Sequence, residues 1–189
     1  MNLRHASLAA ALCLSLIGNA LADTFTIDSK HTFPSFEVSH IGFSTQRGRF
    51  DRTSGTVSLD EKAKKGSIEV SIEAGSIDTG LTELEDKLKS AEFFDTAKHP
   101  AITFKSDKLE FAGVVPVAAE GTLTLLGVAK PLRLAIDHFH CGIHPINKRH
   151  TCGADASGAI KRSDFGLSAF LPAIGDKVKI KIQVEAVKD

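Results

Sequence analysis

Strict alternation of apolar and polar side chains runs through most of this chain. In the clearest run, apolar residues at positions 178, 180, 182 and 184 alternate with lysine, glutamine and glutamate. Successive side chains of a β-strand point to opposite faces, so this pattern predicts a strand with one buried and one solvated face. Similar runs occur at 32–40, 57–59, 68–73, 102–105, 122–125 and 132–137. The chain is therefore predicted to be all-β and antiparallel.

One segment follows a different period. Leu81, Leu84, Leu88 and Ala91 recur at three- and four-residue spacing, which predicts a single amphipathic α-helix over residues 81–91. No linker, repeat or low-complexity stretch divides the chain, so one domain is expected over residues 23–189. Short strands separated by frequent turns fit either a sandwich or a barrel, and periodicity alone does not separate the two.

The first 22 residues have the features of a signal peptide. Arg4 and His5 precede an apolar stretch over residues 6–17, and Ala20-Leu21-Ala22 forms a small-residue cleavage site. We predict cleavage before Asp23 and export of the mature chain. The apolar stretch is too short for a transmembrane helix. A lipoprotein signal at Cys13 is the alternative, although a leucine precedes this cysteine where a small residue is needed.

Charge and motif content narrow the function classes. The chain has 23 basic and 23 acidic residues, so it has no global field that would attract nucleic acid. It contains neither a G-x-S-x-G elbow nor an H-E-x-x-H motif, and its Ser, His and Asp residues form no recognisable catalytic spacing. We therefore expect no enzyme activity and no cofactor. A small hydrolase or isomerase with an unrecognised site remains an alternative.

Two cysteines, Cys141 and Cys152, remain after the predicted cleavage. An even number of cysteines in an oxidising compartment predicts a disulfide between them. Closing a loop of this length would stabilise the fold by about 3 kcal/mol, mainly through the unfolded state.

Histidines cluster around this cysteine pair. His138 and His140 lie two residues apart, and His144 or His150 could supply a third ligand. Imidazoles with this spacing share one face of a strand and can hold zinc or copper. A disulfide would remove both thiolates from ligation, and the two basic residues before His150 disfavour a cation. We therefore expect no bound metal. A metal-binding protein that uses the His138–His150 cluster is kept as an alternative function.

Five short motifs occur in order along the predicted domain. They are HTFPSFEVSHIGFSTQRGRF at 31–50, EFFD at 92–95 followed by KHP, GTLTLLGVAKP at 121–131, RSDFG at 162–166 and GDKV at 175–178. With these motifs the chain resembles the YceI family. The resemblance implies an eight-stranded lipocalin-like barrel in the bacterial periplasm. It also implies a ligand that is a long amphiphilic lipid, such as a polyisoprenoid or a quinone-like molecule.

The resemblance implies that the inward-facing side chains of the strands line a lipid-binding lumen. The alternative is that these side chains simply fill the core. The chain has 12 Phe and neither Trp nor Tyr, so its aromatic surface suits hydrocarbon better than sugars or nucleotides. The candidate lumen residues are Phe36, Val38, His40, Phe104, Leu123, Leu125, Leu134, Ile136, Ile180 and Ile182.

Two polar residues have specific expectations. His40 would meet a lipid head group at the barrel mouth, or would be hydrogen-bonded to a neighbour at the rim. Arg162 is expected to form a structural ion pair or turn contact. The sequence leaves the oligomeric state open, with a homodimer as one possibility, and does not identify the lipid.

Overall fold

The computed structural model describes residues 22–189. The predicted signal peptide, apart from Ala22, and the lipoprotein alternative at Cys13 lie outside this part of the chain. In residues 22–189 the strands are β1 Asp23–Ile27, β2 Phe33–His40, β3 Ser44–Phe50, β4 Thr53–Asp60, β5 Lys65–Glu73, β6 Ile77–Asp78, β7 Ala101–Ala112, β8 Val115–Leu125, β9 Val128–Ile143, β10 His150–Lys161 and β11 Ile174–Lys188. The helix is α1 Thr82–Lys89, and Ala74–Ser76 and Arg162–Phe165 form 3₁₀ turns.

These strands form a closed, antiparallel barrel with eight strand positions. Three of these positions are each filled by two short strands separated by a break, namely β1 with β2, β3 with β4, and β5 with β6. The other five positions are filled by β7 to β11, each paired with its sequence neighbour. β11 closes the ring by pairing with both β2 and β1. The predicted all-β, eight-stranded lipocalin-like barrel is confirmed.

The alternation in the sequence matches the pairing register. On β11, Ile180 lies opposite Phe36 and Val178 lies opposite Val38, while Lys179 lies opposite Glu37. Apolar pairs therefore face the interior and charged pairs face solvent, as the period of two requires. A shift in register between Asp155 and Ala156 interrupts the β9–β10 pairing, which locally disturbs this alternation.

The helix is close to its predicted position but shorter. α1 covers Thr82–Lys89 rather than residues 81–91, because Leu81 and Ser90 are both in extended conformations. Acidic residues occupy its first turn and lysines its last turn, an arrangement that favours the helix dipole. No helix in residues 22–189 is long and apolar enough to cross a membrane.

One end of the barrel is sealed by a small apolar cluster that includes the disulfide. Cys141 and Cys152 are directly opposite each other on β9 and β10, with their Cα atoms 4.0 Å apart. The predicted disulfide is confirmed. It packs with Phe25, Leu59 and Ala186, so this end of the barrel interior is filled with side chains.

Arg162 organises the opposite end. Arg162 is only 5% exposed, and its guanidinium donates hydrogen bonds to the carbonyl oxygens of Leu167, Ala169, Ile174 and Gly175. The expected turn contact is therefore present, and among residues 22–189 no carboxylate accepts a hydrogen bond from the guanidinium. Burial lowers the pKa of Arg162 from its usual value. The side chain fixes the segment 166–175, which connects β10 to β11.

We expect Arg162→Met to lower the free energy of unfolding by about 3 kcal/mol or more, because buried carbonyl oxygens lose their donors. Urea unfolding followed by circular dichroism measures this loss. Arg133→Met is the matched control, since Arg133 is exposed and its pairing with Glu110 should contribute less than about 1 kcal/mol. Equal losses in the two variants would contradict the structural role of Arg162.

A second prediction concerns the disulfide. The double variant Cys141→Ala, Cys152→Ala should be less stable than the oxidised protein by about 3 kcal/mol, since the unfolded chain gains freedom when the loop opens. The measurement is urea unfolding of both proteins. Reduced wild-type protein is the control, and it should unfold at the same urea concentration as the double variant. A reduced protein as stable as the oxidised one would show that the bridge contributes nothing.

Candidate binding cavity

The barrel interior holds a cavity of about 610 Å³. Small-molecule sites in proteins usually have volumes of roughly 300–1,000 Å³, so the cavity is large enough for a ligand. It extends from Ile27 and Val184, near the sealed end, to Ile41 and Phe170 at the opposite end. Apolar side chains from the inward faces of the strands make up most of its wall.

The structure brings all ten predicted lumen residues together around this cavity. They differ in burial. Phe104, Leu123, Leu125 and Leu134 are buried against their neighbours. The half-buried members border the free space of the cavity, and they are Phe36, Val38, Ile136, Ile180 and Ile182. His40 is exposed. Contact between these residues and a ligand stays a prediction.

Two glycines make room for aromatic rings in the wall. A Cβ atom on Gly48 would lie 2.5 Å from the ring of Phe36, and one on Gly121 would lie 2.7 Å from the ring of Phe104. Both distances are too short for carbon atoms in contact, so each ring lies against backbone that has no side chain. These glycines explain how two large residues fit in the wall without filling the cavity.

Polar groups in the deep wall are largely satisfied by the protein itself. The Thr32 hydroxyl donates to the Glu185 carbonyl and accepts from the Glu185 amide, and the Ser35 hydroxyl donates to the Lys181 carbonyl. The Thr53 hydroxyl is the exception, since it is buried without a hydrogen-bond partner. The deep cavity therefore offers a ligand mainly hydrocarbon surface, which binds without directional preference.

The mouth of the cavity lies at the end held by Arg162. It is bordered by the β2–β3 turn, by α1 and by the segment 166–175. Leu84 and Leu88 of α1 contribute to the wall, so the helix covers part of the opening. Polar side chains occur here as well: His40 is exposed, and the Lys87 ammonium forms an ion pair with Glu92. His40 thus lies at the rim, and its contact with a lipid head group stays a prediction.

The positions of the helix and of Phe170 at the mouth were not predicted from the sequence. Leu84 and Leu88 were identified only as one face of an amphipathic helix, and helix periodicity does not say what that face covers. Phe170 lies outside the alternating runs. Its ring stacks on Phe93 with 6.1 Å between centroids, and the Lys87 ammonium lies 5.6 Å from its centre. The double Phe after the helix was the available signal for an aromatic cluster.

The predicted histidine cluster lies on the outer surface, away from the cavity. His138 and His140 point outward into a shallow depression that also contains His31 and His144. His150 is not part of it and lies against the ring of Phe25. Within residues 22–189, no group of three or more His, Cys, Asp or Glu side chains could hold a metal ion.

One histidine in this depression has a clear electrostatic partner. The Nδ1 atom of His31 lies 2.8 Å from a carboxylate oxygen of Asp28. The hydrogen bond to Asp28 raises the pKa of His31, and the same contact lowers the pKa of Asp28. Both side chains are at the surface, so this pair contributes little to stability.

An up-and-down barrel with an apolar cavity and one covered mouth defines a lipocalin-like class of protein. The YceI-like domain family matches residues 25–186, and the chain belongs to this family.

Curated relatives match over nearly the whole chain. A UPF0312 protein from Pectobacterium atrosepticum is 35% identical over 185 residues, covering 96% of this chain and 95% of the relative. Protein YceI from Escherichia coli O6:H1 is 35% identical over 174 residues, covering 90% of each chain.

Solved structures share the fold. BcnA from Burkholderia cenocepacia superposes with a TM-score of 0.71 at 25% identity, over 85% of this chain and 99% of its own. The Campylobacter jejuni YceI protein gives 0.68 at 28% identity, over 80% of this chain and 90% of its own. A polyisoprenoid binding domain from Saccharophagus degradans gives 0.66 at 20% identity, over 89% of this chain and 99% of its own, and supports the fold alone.

Proposed function

We propose that this protein binds the apolar chain of an amphiphilic lipid, a polyisoprenoid or quinone-like molecule, inside the barrel. The observation that carries the proposal is the cavity of about 610 Å³, whose deep wall is nearly all apolar. Membership of the YceI-like family supports it.

The energetics favour a long hydrocarbon chain as ligand. Each CH₂ group transferred from water into the cavity contributes about 0.8 kcal/mol, so ten groups contribute about 8 kcal/mol. Association costs about 4–15 kcal/mol in lost motion, which a short chain would not offset. Since the deep wall has few free hydrogen-bonding groups, affinity should depend on chain length more than on the chemistry of the buried end.

The polar head group stays at the mouth. His40, Gln46 and Lys87 are the polar side chains of the wall that lie on the β2–β3 hairpin and α1, beside the opening. A head group placed there keeps contact with water, while the tail lies between β2 and β11. This arrangement supports sequestration or carriage of the lipid rather than its chemical conversion, and we assign no catalytic residue.

The periplasm is the proposed location. The predicted signal peptide directs the chain out of the cytoplasm, and the Cys141–Cys152 disulfide is typical of an oxidising compartment. A lipid moving between two membranes through this aqueous space needs an apolar container, and the barrel cavity is suited to that role.

The test is to narrow the cavity. Ile180→Trp adds bulk to a half-buried side chain of the β11 wall, at an expected cost of about 1–3 kcal/mol in stability. Prenol supplied from detergent, followed by gel filtration and lipid extraction, measures occupancy. We expect occupancy at least about tenfold lower than in wild type, corresponding to roughly two lost CH₂ contacts.

Gln183→Trp is the matched control. It places the same ring on the same strand, but the side chain at 183 is exposed on the outer face of the barrel. This variant should carry prenol as wild type does. If both folded variants carry prenol at wild-type occupancy, the lipid does not lie in the cavity. If wild-type protein takes up no prenol, the binding proposal fails.

A further inference from the structure

Three large apolar side chains are exposed at the mouth. Ile41 and Phe43 lie on the β2–β3 turn and are 53% and 93% exposed, and Phe170 lies on the segment 166–175 and is 55% exposed. We call these three residues the lip. The two turns are joined directly, because the Ile41 amide donates a 2.8 Å hydrogen bond to the Ala173 carbonyl. The two segments that carry the lip are therefore direct neighbours at the mouth.

Two residues of the lip have an unfavourable backbone conformation. Ile41 has a φ of 56° and Phe170 a φ of 61°, both in the left-handed region. A β-branched residue rarely adopts this conformation, which costs about 1–2 kcal/mol, whereas Asn or Gly would adopt it easily. Ile41 is the β-branched member of the positive-φ residues found in 22–189. Neither backbone preference nor burial accounts for an isoleucine there, so a functional role is the remaining physical explanation.

Exposure alone does not distinguish the lip from the rest of the surface. The sealed end also exposes apolar side chains, including Ile143 and Ile146. These differ from the lip in one respect that bears on lipid uptake. Ile41 and Phe170 form part of the cavity wall as well as of the outer surface, whereas Ile143 and Ile146 do not line the cavity. The apolar surface of the lip is therefore continuous with the cavity.

We propose that the lip is a docking surface for a lipid bilayer, through which a lipid passes into the cavity. The inference rests on the proposed function, since an amphiphile with a long chain resides in bilayers before it is bound. A bilayer covers exposed apolar side chains, and continuity with the cavity gives the chain a path that avoids water.

The charges beside the lip indicate how docking occurs. Arg47 is paired with Glu37, and Lys87 is paired with Glu92, so these two cations beside the lip are neutralised by carboxylates. Attraction to anionic head groups requires clusters of unpaired Lys or Arg. Docking should therefore depend mainly on apolar insertion, and it should differ little between zwitterionic and anionic vesicles.

The absence of Trp from the chain allows a direct test. In Phe43→Trp, the single Trp lies on the lip, and in the control Ile146→Trp it lies at the sealed end, where the replaced side chain is 85% exposed. Phosphatidylcholine vesicles should shift the Trp emission of the first variant to shorter wavelength and leave the second unchanged. No shift at the lip, or equal shifts in both variants, would overturn the proposal.

A second pair of variants measures affinity. Phe43→Ser should weaken co-sedimentation with the same vesicles about tenfold, because burial of one Phe side chain is lost, and Ile146→Ser should not. Both sites are highly exposed, so neither change should alter stability by more than about 0.5 kcal/mol. Phe43 does not line the cavity, so Phe43→Ser should take up prenol from detergent as wild type does.

The remaining outcomes separate this inference from the proposed function. Wild-type protein that takes up prenol from detergent but ignores vesicles would overturn the docking surface and leave the proposed function intact. Trp emission at position 43 that shifts with protein concentration, without vesicles, would show that the lip binds a second copy of the chain, and this also overturns the proposal. Vesicle binding without prenol uptake would support docking while the proposed function fails.

Discussion

Closure of the barrel depends on strand β11, which is hydrogen-bonded to β10 along one edge and to β2 and β1 along the other. This pairing removes the free edges that an open sheet would expose. It also converts one face of every strand into the wall of an enclosed space. The apolar cavity, its mouth and its sealed end all follow from this closure.

The two ends of the barrel differ in structure, so the cavity is closed at one end and open at the other. At one end, the disulfide and Phe25 fill the interior. At the other, Arg162 fixes the segment 166–175 through backbone carbonyls, so a loop rather than packed side chains borders the opening. A lipid chain entering this space would have its buried end among apolar residues and its head group near His40.

Much of the fold was predictable because period-two alternation is a local property. The strand around 178–184, the helix and the disulfide were all identified from short stretches of sequence. β3 was not, since its sequence STQRGRF has too few apolar residues to show the pattern. The choice between barrel and sandwich also lay beyond periodicity, because closure between β1 and β11 joins the two ends of the chain. Resemblance to the YceI family supplied that choice.

The sequence predicted which residues line the cavity, but it did not predict where the free space lies. All ten proposed lumen residues line the cavity, because inward direction follows from alternation. Which of them border free space depends on packing across the barrel, as the contrast between buried Leu134 and half-buried Ile180 illustrates. The lip was not predicted, since its residues lie in turns and their left-handed backbone is a property of the folded chain.

The central claim is that the barrel holds a lipid chain in its host. Native mass spectrometry of the protein isolated from its native host tests this claim most directly. A lipid-bound barrel should give a species heavier than the disulfide-bonded chain by one discrete mass, which organic solvent removes and which matches a long-chain lipid. A spectrum containing only the bare chain, unchanged after addition of prenol, would contradict it.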